Sequence, residues 1–168
     1  MTRPPNGYRP GMDEPGEPTT APVCLRGRTV LVTAAIGAGI MAAVDEIVFH
    51  QVLGWHHFYD RATPQIGLLS DGLLHTAEIV VIVAGFFGLA DLRRRRALAP
   101  VSAWAGFFLG LGGFQLFDGI VDHKILRVHQ IRYDTADLFP YDLAWNAAAV
   151  VLLLVGAGLT WRGRGEGR

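Results

Sequence analysis

Two twelve-residue segments hold most of the groups in this chain that can do chemistry. The first runs Asp45-Glu-Ile-Val-Phe-His50-Gln-Val-Leu-Gly-Trp-His56. Its pattern, D-x-I-V-x-H-x-x-L-x-x-H, returns 73 positions later as Asp118-Gly-Ile-Val-Asp-His123-Lys-Ile-Leu-Arg-Val-His129. A glycine precedes each copy at the matching place, Gly39 and Gly112. A further set, Asp71, His75 and Glu78, lies between the copies, and Asp71-x-x-x-His75 is matched at an offset of 71 by Asp142-x-x-x-Asn146.

Imidazole suits copper, zinc, iron and nickel, and carboxylates add harder oxygen donors. Three histidines at one level resemble a three-ligand site with an open position, and carboxylates behind them can orient the imidazole N–H groups. No H-E-x-x-H occurs, and Cys24 is the single cysteine. A disulfide, a thiolate zinc site and a C-x-x-C-H haem attachment are therefore excluded within one chain.

The elements that position these groups are four apolar stretches, roughly 29–49, 68–90, 101–121 and 143–161. Each reaches about the 20 residues needed to cross a hydrocarbon core of about 30 Å. With 51% hydrophobic and 18% charged residues, the 168-residue chain reads as all-α, an integral membrane four-helix bundle. The repeat divides it into two tandem hairpins, 29–90 and 101–161. Each has two spans, so the halves share an orientation and their pseudo-two-fold axis runs along the membrane normal. Residues 1–27, rich in Pro and Gly, read as a disordered cytoplasmic tail, 28–162 as the membrane domain and 163–168 as a short basic tail.

The net charge is zero, but eleven of the fifteen basic residues fall on one side of the spans, Arg93 to Arg96 among them. The positive-inside rule then puts both termini and the 91–100 loop in the cytoplasm, with 50–67 and 123–141 outside. Topology accounts for the arginine clusters, so no nucleic-acid partner is expected; the lipid bilayer is. Trp55, Tyr59, Tyr133, Phe139, Tyr141 and Trp145 read as an outer aromatic belt, with Trp104 and Trp161 at the inner boundary. Gly106-x-x-x-Gly110 is a small-residue packing motif that fits a contact within the chain or a homo-oligomer equally well.

Depth along α-helices, at about 1.5 Å per residue, sorts the polar groups into layers. A middle layer holds His50, His75, His123 and Asn146; a deeper one holds Asp45, Glu46, Glu78 and Asp118; an outer one holds His56, His57, His129, Asp71, Asp142 and Asp122. By helical angle, Glu46, His50, Leu53 and His57 share one stripe, while Asp45, Phe49, Val52 and His56 form its neighbour. A charged group at a span centre costs roughly 2.5–3.5 kcal/mol, so these groups should face the bundle interior.

The leading expectation is a transition-metal site, copper or zinc first and iron next. His50, His75 and His123 would be its core ligands, Asp45, Asp118 and Glu78 outer partners or additional ligands, and His56 and His129 an entrance or second site. Two alternatives are a b-type haem with His50 and His123 as axial ligands, and a metal-free structural or proton-relay network. His57 and Asp71 lie near the boundary, where solvation accounts for them equally well. Metal handling with a respiratory-oxidase assembly partner is one use of such a site, and membrane metalloenzyme chemistry is another.

At these motifs the chain resembles a bacterial family of predicted membrane proteins, domain-of-unknown-function family 2243, over roughly residues 29–160. The resemblance rests on Asp45…His50-Gln51…Leu53-Gly-Trp55-His56-His57, on Asp71-Gly72-Leu-Leu-His75, and on Asp118-Gly119…Asp122-His123…Leu126…His129. The family pattern has a glycine after the first Asp and a second His after the last; Glu46 and Gln130 stand there in this chain. The resemblance implies a multi-span bacterial inner-membrane protein and implies no reaction.

Overall fold

The computed structural model describes residues 23–165, so the part of the expected tail at 1–22 and the last three residues lie outside the described residues. Six helical elements follow one another. They are α1 (Val23–Asp45), π1 (Glu46–Val52), α2 (Pro64–Arg94), α3 (Pro100–Phe117), π2 (Asp118–Leu126) and α4 (Phe139–Gly165). Helix α1 begins at Val23 and so takes in the last five residues expected as tail. Counting each α-helix with the π segment that prolongs it, four helices are long and apolar enough to cross a membrane. Among the described residues there is no strand.

The four spans stand in the order α2–α1–α3–α4. Close backbone approaches link α1 to α3, α1 to α2 and α3 to α4, and none links α2 to α4. The two repeat-related helices, α1 and α3, therefore form the centre. Of the apolar stretch of each span, 39% and 44% is buried in the first and third, against 11% in the second and fourth. The outer helices turn most of their leucines and valines outward, as lipid contact requires.

Small residues make the central contact. A Cβ at Gly37, Gly106 or Gly110 would run into the backbone carbonyl of Phe107, Val30 or Ala34 respectively. Gly106-x-x-x-Gly110 thus seats α3 on α1 within the chain, where close backbone approach maximises dispersion contacts. At one end of the row Asp91 ties Arg28, Arg94 and Arg95 together at 3.3, 2.7 and 2.8 Å. The other end carries the two π segments.

Those segments coincide with the repeated motif. Each continues its α-helix with wider i→i+5 turns, as in Leu53 N–H donating to the Val48 carbonyl at 2.9 Å. Each ends on a left-handed residue at the matching repeat position, Gly54 (φ 58°) and Arg127 (φ 52°). That reversal folds the chain back over the helix ends, which brings His56 and His129 down onto the segments that precede them. Helix α2 then starts at Pro64, with the Thr63 hydroxyl accepting from Ile66 N–H at 3.4 Å.

Candidate metal centre

The wide turn decides which side chains meet. In an α-helix, residues five apart point about 140° away from each other at about 100° per residue. In π1, His50 Nε2 lies 3.6 Å from Asp45 Oδ2, five residues earlier. In π2, His123 Nε2 lies 3.3 Å from Asp118 Oδ2, at the same separation. Gln51 Nε2 likewise reaches Glu46 Oε1 at 2.8 Å.

Four imidazoles close into one buried group: His50, His56, His123 and His129, each 5% exposed or less. Their spacings come in pairs related by the repeat. His50 and His56 are 4.5 Å apart between ring centroids, and His123 and His129 are 4.7 Å apart. His50 to His129 is 6.0 Å, and His56 to His123 is 6.1 Å. His56 and His129, which the repeat exchanges, stack at 4.6 Å with an interplanar angle of 4°.

The loops lock the inner pair. His56 Nδ1 donates to the Ile131 carbonyl at 3.0 Å, and His129 Nδ1 donates to the Phe58 carbonyl at 2.9 Å. A carbonyl only accepts, so Nδ1 carries a proton in both rings and each Nε2 turns into the cluster. Those Nε2 atoms, with His50 Nε2 and both ring nitrogens of His123, are buried without a hydrogen-bond partner. Asp118 divides its oxygens between His123 Nε2 and His129 Nε2, at 3.3 Å each. Burial, reinforced by the neighbouring rings of His129, His50 and His123, pushes the His56 pKa down to about 2, so it stays neutral. For His129, burial works the same way but is outweighed by Asp118, which holds the pKa above its ordinary value.

Such a donor set fits a metal ion. Ligand atoms of His56, His123 and His129 lie within 4.8 Å of one another, as do those of Asp45, His50 and His56. Two imidazole nitrogens on one tetrahedral zinc stand about 3.4 Å apart at Zn–N of about 2.0–2.1 Å. Closing the cluster onto an ion thus takes shifts of about an ångström. Each half offers two histidines and one aspartate, a combination used by open-position metal sites.

Of the eight residues expected as ligands, the geometry brings together Asp45, His50, His56, Asp118, His123 and His129. His56 and His129 lie at the heart of the cluster. His75 stands apart, its side chain 48% exposed and its Nδ1 2.5 Å from Glu78 Oε1. Helix α2 approaches π1 with Asp71, one turn nearer the π end, and that turn is the one that meets His50. Asp71 is 1% exposed. It accepts from His57 Nδ1 at 2.6 Å and from Phe58 N–H at 2.7 Å, and lies 3.2 Å from His50 Nδ1. Solvation therefore does not account for it. Glu46 Oε2 lies 2.7 Å from the same His50 nitrogen. These two carboxylates orient His50 from behind, a role the sequence reading gave to the deeper carboxylates, Glu46 among them, but not to Asp71. The i,i+4 spacing of Glu46 and His50 was the available signal.

The aromatic residues near this end are only partly a belt. Trp55 packs edge-on to Tyr141 at 5.5 Å, Phe49 contacts both Trp55 and Trp145, and the Arg132 guanidinium lies 4.9 Å from the Trp55 ring centroid. They wall the centre off on the α4 side.

Fold and site together define a multi-pass helical membrane protein with a buried histidine–carboxylate cluster where its central spans end. The chain belongs to the family described as predicted membrane protein, DUF2243, which matches residues 32–163. No curated protein and no solved structure matches it.

Proposed function

We propose that this protein binds a transition metal in the cluster of His50, His56, His123, His129, Asp45 and Asp118. One observation carries the reading: the Ile131 carbonyl fixes His56 so that its Nε2 lone pair is bare and buried, beside His50 Nε2 and both ring nitrogens of His123, which also lack hydrogen-bond partners. A metal-free network would leave these polar atoms unsatisfied, at about 1–3 kcal/mol each. The donors are nitrogen and oxygen, with no thiolate or thioether in the set. That favours zinc or copper(II), with iron(II) next, over copper(I). The stacked His56–His129 pair lies between His50 and His123, where a haem with those axial ligands would need its macrocycle. This favours an ion.

The arginine distribution supports a plasma-membrane topology of bacterial type, with both termini in the cytoplasm and the centre near the outer face. Metal handling or metalloenzyme chemistry at that face is the corresponding role. A bound ion there supplies Lewis acidity and an activated water.

The test is metal content and absorption spectrum of the chain purified in mild detergent. Zinc, copper or iron at one or two equivalents per chain is expected, without a Soret band. Alanine at His56, His123 or His129 should abolish stoichiometric binding, while His75→Ala should leave it. Equal loss at His75 would sink the assignment of the ligands, and a Soret band would replace the ion by haem.

A further inference from the structure

The four imidazoles are matched across the halves, but the space behind them is not. Behind His50 a cavity of about 350 Å³ opens between π1 and α2, lined among others by Glu46, Gln51, Asp71, Gly72 and His75. Glu46 and Asp71 reach from its wall to His50 Nδ1, at 2.7 and 3.2 Å. The other nitrogen of His50 faces Asp45 and the centre. Ligand atoms of Glu46, His50 and Asp71 also lie within 4.8 Å of one another. An ion held there is one imidazole away from the cluster.

The second half replaces every one of these features but the aspartate. Gly119 stands in place of Glu46, Lys124 of Gln51, Leu143 of Gly72 and Asn146 of His75. The retained carboxylate, Asp142, is taken by Lys124 Nζ at 2.5 Å and stands 3.8 Å from His123 Nδ1. A Cβ at Gly119 would come within 2.6 Å of Asn146 Oδ1 and 2.8 Å of Trp145 Cδ1, so that side is filled. One half is open and acidic; the other is closed and carries an ammonium group.

We propose that the Glu46–Asp71–His75 cavity is the entrance by which a divalent cation reaches the centre, handed on through His50, and that the equivalent path beside His123 is shut by Lys124. The inference rests on the metal reading above. A cleft lined by carboxylates in low-dielectric surroundings concentrates cations and speeds their capture by about tenfold or more. A cation at the mirror position would meet the Lys124 charge instead.

Uptake kinetics test it. The full chain in mild detergent, stripped of metal with a chelator, is mixed with zinc, and capture is followed by competition with a coloured indicator. Gly72→Phe should plug the cavity, because nothing lies within 4 Å of the added Cβ. It should slow capture at least tenfold at an unchanged final stoichiometry. His75→Asn, which copies the second half, should slow it several-fold. Gly158→Phe, an equally open glycine on α4, should load at the wild-type rate. Wild-type rates in both Gly72→Phe and His75→Asn, or equal slowing in Gly158→Phe, would overturn the entrance while leaving the metal reading in place. A wild-type chain that takes up no zinc at any time would overturn both.

Discussion

His50 Nε2 lies 3.6 Å from Asp45 Oδ2 although the two are five residues apart on one continuous helix. Only a π turn brings i and i+5 onto one face. The motif D-x-x-x-x-H is thus written for a π-helix, and its second copy makes the same pair between Asp118 and His123 at 3.3 Å. Deleting Val52, which leaves Asp45 and His50 five apart, should convert π1 to α-helix and rotate Asp45 away from His50. Metal affinity should fall at least a hundredfold while far-ultraviolet circular dichroism stays helical. Unchanged affinity would show that the wide turn is incidental.

Asp118 serves two imidazoles at once, His123 and His129. Asp118→Asn keeps the shape and removes the charge. It should weaken metal binding by about 10–100-fold, the range found when a partner of a metal site is lost. Glu46→Gln acts only from behind His50 and should cost less than Asp118→Asn. An isothermal titration series ranks the two, and a larger loss at Glu46 would reverse the roles given to them.

Arg127 holds a left-handed conformation, φ 52°, where the repeat-related residue is Gly54 at φ 58°. A residue with a Cβ is strained there by about 1–2 kcal/mol, and glycine is not, though glycine loses more chain entropy on folding. Arg127→Gly should therefore raise thermal stability in detergent by up to about 1 kcal/mol. Gly54→Arg should lower it by a similar amount. A loss of stability in Arg127→Gly, or a gain in Gly54→Arg, would remove the argument.

The metal-free protein should lose stability in mild acid through His56. Its folded pKa, about 2, lies below the ordinary value near 6.5. The stability tied to its neutral form is complete above pH 6.5 and falls as pH drops from there toward 2. Between pH 7 and 5.5 that amounts to about 1 kcal/mol. His129 works with the opposite sign, since Asp118 raises its pKa: its contribution is complete below about pH 6.5 and is lost as pH rises through the raised value. Melting curves of wild type and His56→Gln should converge as pH falls from 7 to 5.5. Parallel curves would count against a buried neutral His56.

Gly110 sits against the Ala34 backbone at the α1–α3 contact. Gly110→Leu should force the two central helices apart, cost about 1–3 kcal/mol or more, and abolish metal binding through loss of the joint cluster. Retained stoichiometric binding in this variant would show that the halves can assemble the site without this contact.

The four spans and the pairing of the two motifs were legible in the sequence, because spans are set by the length of apolar runs and a repeat survives as residue identity. Asp45, His50, Asp118 and His123 were visible as buried polar groups for the same reason: charge inside an apolar run has to face protein. Their arrangement was not legible. A wheel of about 100° per residue put Asp45 and His50 on separate stripes, and only the i→i+5 backbone hydrogen bonds restore them to one. His56 and His129 lie past the ends of their spans, where helical periodicity carries no information. Their place at the centre depends on two left-handed residues and on carbonyls of Ile131 and Phe58, 75 and 71 residues away. His75 shows the converse. It sits at a suitable depth in the sequence, yet the lean of α2 on π1 turns Asp71 toward His50 and leaves His75 at the rim. Depth is a property of one helix and could be read from the chain. Which faces meet is a property of pairs of helices, and that was decided only when α1 and α3 packed together through their glycines.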